Sequence, residues 1–263
     1  MPTIDAIYKN AETEYNRYLQ EYNGTLSKSQ KLAIYKKSAE SLKVLAYGEF
    51  LINGNVDGFY NYLYTLAKNH LSILRDLNDN IADPYVSASN LDGIYSAIIC
   101  NETSLLCELL QRSSTKIIAP EYDDEFLIAS QLIHILKAHY IPPSDFQFDY
   151  ESSFSAVEDY LGEEPLITPL FKSILDKDQK KYAESFVNWH SEVCTNVSEK
   201  QSASSAEYSF GVTRYIHLQG LALLAFGRAM GLILEDEFEL IPQMILSSTP
   251  DRVVNAAPFL CEP

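Results

Sequence analysis

Between Arg214 and Leu234 the chain reads RYIHLQGLALLAFGRAMGLIL, its longest apolar run, with no proline in it. At 3.6 residues per turn the apolar side chains point in nearly every direction, the mark of a helix buried among neighbours. The expectation is therefore a central core helix spanning this run. Gly220, Gly227 and Gly231 fall in a narrow band of azimuths. Such a band lets another helix come close, worth the roughly 1 kcal/mol that each interior glycine costs relative to alanine. Arg214, His217 and Arg228 form an adjoining stripe, expected to meet carboxylates or water. A membrane span is disfavoured, because Arg228 at its middle would cost about 3 kcal/mol.

The rest of the chain repeats one pattern, helix, short polar turn, helix. Ile4, Tyr8, Ala11, Tyr15, Tyr18 and Tyr22 recur at spacings of three and four, an amphipathic helix with a tyrosine seam that Gly24 is placed to end. Ser27 with Gln30 makes a capping box for a helix running to Ile52 and broken at Asn53-Gly54-Asn55. A third helix runs from Val56 to about Leu77, before a loop from Asn78 to Tyr85. The pattern returns at Cys100-Asn101-Glu102 and again at Asp176-Lys177-Asp178. Asp123 is placed to cap a helix from Glu125 to His139, and Ser155 with Glu158 a short one. Between them, residues 141–153 form the one long insertion, where alternating Phe146, Phe148 and Tyr150 suggest an extended segment. Lys200 to Ala206 reads as a link into the central helix, and a short helix near Ile241 to Ile245 precedes a proline-rich tail. The prediction is an all-α single domain of ten to twelve helices, packed as antiparallel hairpins and loosely repeat-like, with at most one short strand hairpin near Phe146 to Tyr150.

Charge narrows the partners. The chain of 263 residues carries 36 acids against 20 bases, net −16. Nucleic acid and anionic membranes call for a positive surface, so a basic protein is the partner such a chain suits. The N-terminal residues lack the apolar core of a signal peptide. Cys100, Cys107, Cys194 and Cys261 show neither a CxxC pair nor zinc-type spacing, so free thiols in a reducing cytosol are expected.

Most of the imbalance lies in residues 121–164, with eleven acids and a single base, Lys137, net −10. One reading is a solvated face kept for solubility. The other is a binding surface for a cation-rich partner, centred on Glu121, Asp123, Asp124, Asp145, Asp149, Glu151, Glu158 and Asp159. Phe146, Phe148 and Tyr150 would then serve as interleaved apolar anchors.

The segments GLALLAFGRAMGL, the acidic turn after it, IPQMIL, the hairpin at Ile52 to Phe59 and FKSILDKDQKKYAESFVNWH resemble the immunity protein 49 family of bacterial polymorphic-toxin systems. The resemblance implies an all-helical cytosolic antitoxin that neutralises a cognate toxin by direct stoichiometric binding. It supplies no catalytic residues.

Signatures of catalysis are missing. There is no GxSxG, Walker loop, GxGxxG or HExxH, and no Glu-x-x-His pair. His134 and His139 are five apart, a poor spacing for two ligands on one helical face, and the other histidines are scattered. Asp123-Asp124-Glu125 suits a helix start as well as a metal-binding acidic motif. The reading is no enzyme, no metal and no cofactor. The alternatives are a helical-repeat adaptor for a protein or peptide unrelated to toxins, and a metal-dependent helical enzyme built on Asp123 and Asp124. Oligomeric state is left open.

Overall fold

A computed structural model describes residues 3–22, 26–76, 86–114, 116–118, 121–141, 148–203 and 215–247. Gly24, the expected loop 78–85, Asp145, Phe146, Arg214, Cys261 and the tail from 248 lie outside the described residues.

The first three helices form where local signals are strongest. Helix α1 (Ile4–Tyr22) buries Ala11, Tyr15 and Tyr18 of the expected seam together with Ile7, while Ile4, Tyr8 and Tyr22 are half-buried. Helix α2 (Lys28–Asn53) starts at the Ser27–Gln30 capping box, with Gln30 N donating to Ser27 Oγ at 3.3 Å and Ser27 N to Gln30 Oε1 at 2.9 Å. It ends at Gly54, and α3 (Val56–Asp76) begins two residues later, so α2 and α3 fold back on each other. Helix α2 lies between α1 and α3 and buries residues on most of its circumference. That is why its apolar pattern looks diffuse rather than one-sided.

Helices α4 (Asp92–Ile99) and α5 (Thr103–Arg112) flank the expected turn, where Asn101 takes a left-handed conformation. Every residue of α4 from Gly93 to Ile99 is buried, and α4 packs on α3, α5 and a later helix, Leu218–Ala229. Helices α6 (Asp123–Tyr140) and α7 (Tyr150–Leu161) form a hairpin, and α8 (Ile167–Asp176) and α9 (Gln179–Ala203) another. The link expected from Lys200 is helical at its start, because α9 continues to Ala203. Helix α10 (Leu218–Ala229) and α11 (Gln243–Ser247) complete eleven helices among the described residues, with no strand. A single apolar core runs from α1 to α11, with a satellite of Tyr18, Leu32, Ile34, Tyr35 and Ile73 at one end. No described helix is long and apolar enough to cross a membrane.

The run from 214 to 234 departs from expectation. Its helix is only Leu218–Ala229. Gly231 takes φ +83°, and Leu232 N donates back to Gly227 O at 2.8 Å, which closes the helix and turns the chain. Leu232 and Leu234 are buried beyond the turn, and Gln179 holds Ile233 by two hydrogen bonds of 2.7 and 2.8 Å. The close neighbours of Gly220 and Gly227 are side chains, not a helix backbone. A Cβ at Gly227 would overlap the Tyr182 hydroxyl, and one at Gly220 would lie 2.6 Å from Ile241 Cδ1. Arg228 is half-buried and forms no ion pair with a carboxylate among the described residues. It donates to Leu246 O at 2.8 Å and Gln243 Oε1 at 2.9 Å, tying α11 to α10.

Candidate functional site

Two hydrogen bonds set the register of the α6–α7 hairpin. The Tyr150 hydroxyl donates to His134 O at 3.3 Å, and Gln131 Nε2 donates to Ser153 O at 3.1 Å. As the position rises by three on α7 it falls by three on α6, so the helices run antiparallel, and continuing that register sets Leu161 opposite Asp123. The acids at the start of α6 (Asp123, Asp124, Glu125) therefore share one end of the hairpin with Glu158 and Asp159 of α7 and with Glu163 just beyond it. None of these six forms an ion pair among the described residues, whereas Glu164 pairs with Lys172 at 2.7 Å. The one base of the segment, Lys137, is buried, and burial lowers its pKa. Beside the acids stand Tyr122, 70% exposed, Tyr160, 54%, and Leu161, 39%. The carboxylates at this end of the hairpin are thus flanked by exposed aromatic and aliphatic surface.

The residues singled out from sequence divide between surface and scaffold. Asp123, Glu151, Glu158 and Asp159 are exposed and Asp124 is half-buried. Glu121 is not at the surface. It is 9% exposed, and its carboxylate accepts Ser89 N at 2.8 Å and Ile118 N at 3.1 Å, joining two loops. Asp149 is the N-cap of α7, accepting Ser152 N at 3.1 Å and Ser152 Oγ at 2.6 Å, and these bonds hold its carboxyl below the usual range. Of the segment expected to be extended from Phe146 to Tyr150, Phe148 and Asp149 precede α7, Asp149 with extended backbone, while Tyr150 is already the first residue of the helix, and Ser155, expected as a cap, sits inside it. Likewise Asp123 is the first residue of α6 and Tyr122 its cap position. Phe148 stacks on His134 with ring centroids 3.8 Å apart, and Tyr150 packs edge-on against Phe148 at 5.1 Å. Both rings are half-buried and fasten α7 to α6 rather than reaching outward.

A cleft that the sequence does not announce opens beside this face. Its volume is about 530 Å³, and a continuation of about 340 Å³ shares Glu40, Asp92, Tyr95 and Gln219 with it. Glu125 of α6 reaches its wall, and Leu91, Ile128, Leu132 and Phe171 make the wall apolar. Lys43 borders the continuation and bridges Asp92 at 2.8 Å and Glu40 at 3.0 Å. Burial pulls its pKa down, but the two carboxylates outweigh that and hold the ammonium charged. Glu40, Asp92 and Glu125 lie on three helices far apart in the chain, so no spacing rule connects them.

A second cluster is aromatic. His190 lies between Phe186 and Phe238, and its ring faces that of His217 at 5.8 Å, with Trp189 5.3 Å from His217. His190 Nε2 donates to Glu239 O at 2.6 Å, and His217 N to Leu240 O at 2.7 Å, so the pair pins the 238–241 turn against α9 and α10. Burial, then His190, holds His217 down to about 4. No group of three or more His, Cys, Asp or Glu among the described residues is arranged to hold a metal ion.

No protein-family model, curated protein or solved structure matches the chain.

Proposed function

We propose that the chain is an immunity protein: a cytosolic, non-enzymatic inhibitor that binds a basic toxin stoichiometrically through the acidic end of the α6–α7 hairpin. The observation that carries this reading is the set of six acids there, Asp123, Asp124, Glu125, Glu158, Asp159 and Glu163, with no ion-pair partner among the described residues. Holding like charges together opposes compaction, and a cationic partner relieves it. Tyr122, Tyr160 and Leu161 supply the apolar contacts that a charged rim lacks. The resemblance read in the C-terminal segments implies an inhibitor of this kind, and no family model matches the chain.

The test pairs this chain with the protein encoded beside its gene. Produced alone, the neighbour should arrest growth; with this chain it should be harmless and purify as a stoichiometric complex. A triple variant, Glu158→Lys, Asp159→Lys and Glu163→Lys, should associate about tenfold more slowly at low salt and lose most of the salt dependence of its on-rate. A harmless neighbour, or no complex, removes the reading. An unchanged on-rate and salt response in the triple variant removes this face as the site.

A further inference from the structure

We propose that the cleft beside the acidic face receives a lysine or arginine side chain inserted by the basic partner. This rests on the reading of the chain as an inhibitor of such a protein.

The cleft's size, about 530 Å³, falls in the range of small-ligand sites, roughly 300–1,000 Å³. Its charge selects a cation. Three carboxylates face one ammonium, and that ammonium, Lys43, is already committed to Glu40 and Asp92. Glu125 has no ion pair among the described residues.

Tyr95 supplies a second, independent sign. It is only 7% exposed and borders both parts of the cleft, yet its hydroxyl has no hydrogen-bond partner among the described residues. With its ring buried, Tyr95 leaves its hydroxyl open to the cleft. An incoming N–H donor takes the place of water on that oxygen, which an apolar ligand does not, and an anion is repelled by the carboxylates. The apolar wall of Leu91, Ile128 and Leu132 selects further. It gives a hydrated metal ion nothing, but it suits the methylene stem that lysine and arginine lay along apolar surface while the charged head meets a polar group. The cleft also opens at the end of α6 where the partner is expected to sit, with Glu125 common to both.

The first experiment titrates butylguanidinium into the full isotopically labelled chain, followed by heteronuclear nuclear magnetic resonance. Saturable shifts should concentrate at Tyr95, Gln219, Ile128 and Leu132, and sodium butyrate should produce none. Tyr95→Phe removes only an unpartnered hydroxyl, so its thermal midpoint should match the parent while probe affinity drops several-fold. Glu125→Gln, at an exposed position, should weaken the probe similarly. No saturable shift at the cleft, or full affinity in both variants, overturns the proposal.

The second experiment measures the complex with the toxin. Both variants should raise its dissociation rate about tenfold with little change in association rate, the signature of a seated contact rather than steering. Unchanged dissociation overturns the cleft proposal and leaves the inhibitor reading standing. Probe binding with no basic partner does the reverse: the cleft keeps its preference for organic cations, and the inhibitor reading, with the inserted side chain, falls.

Discussion

At position 227 a single methyl group decides whether α10 fits. The Tyr182 hydroxyl occupies the space a Cβ would take, and it donates to Leu223 O at 3.1 Å. Gly227→Ala should therefore destabilise the fold by about 1–3 kcal/mol through overpacking. Adding Tyr182→Phe removes the overlapped oxygen and should return part of that loss, a coupling read from urea midpoints in a double-mutant cycle. Strict additivity would mean the two side chains do not share that space. His217 gives a prediction with a pH window. Its imidazole is held at about 4 in the fold against an ordinary 6.5 when unfolded. Between those values the unfolded chain binds a proton that the native state refuses. Stability should fall as pH drops from about 6.5 to 4, by at most about 1.4 kcal/mol per unit, and level off below. His134, His139 and His190 are also lowered, chiefly by burial, and act in the same sense. His217→Gln should flatten the decline between pH 7 and pH 4.5; an identical slope would show that His217 does not carry it.

Among the elements, α4 rather than α10 is the most enclosed, since α3, α5 and α10 all lie against it. Its eight residues are too few to show a period, which is why the longer run at 214–234 looks more central in the sequence. Helix α7 shows how cap signals compete. Ser155 with Glu158 has the spacing of a capping box, but Asp149, six residues earlier, caps the helix, and Tyr150 packed on α6 extends it upstream of Ser155. Asp149→Ala should lower the thermal midpoint and speed amide exchange in the first turn of α7 before any other helix. Ser155→Ala, in the exposed middle of the helix, should leave the midpoint unchanged or raise it slightly, because alanine is the better helix former. Reversal of that order would restore Ser155 as the cap.

For the whole molecule, the net charge of −16 acts on stability as well as recognition. Going from about 10 mM to 150 mM salt shortens the screening length from about 30 to 8 Å. Self-repulsion at the acidic face should weaken accordingly, and the thermal midpoint should rise. The triple reversal at Glu158, Asp159 and Glu163 changes the net charge from −16 to −10 and should shrink that rise. A midpoint that falls with salt would mean that ion pairs such as Lys43 with Asp92 outweigh repulsion.

What the sequence determined by itself is what neighbouring residues decide among themselves. The Ser27–Gln30 box, the break at Asn53-Gly54, and the turns at Cys100 and Asp176 rest on groups within a few positions of one another, so their outcome travels with the text. The acidity of residues 121–164 is equally legible, because charge needs no geometry to be counted. Tertiary structure decided the rest, wherever the deciding partner is remote in the chain. Glu121 becomes a buried acceptor because Ser89 N and Ile118 N need one. Phe148 and Tyr150 turn inward because His134 offers a ring and a carbonyl. Glu40, Asp92 and Glu125 share a cleft only because α2, α4 and α6 are brought to border the same space. Burial and charge spacing are properties of atoms brought together, and no local pattern encodes which distant atoms those will be.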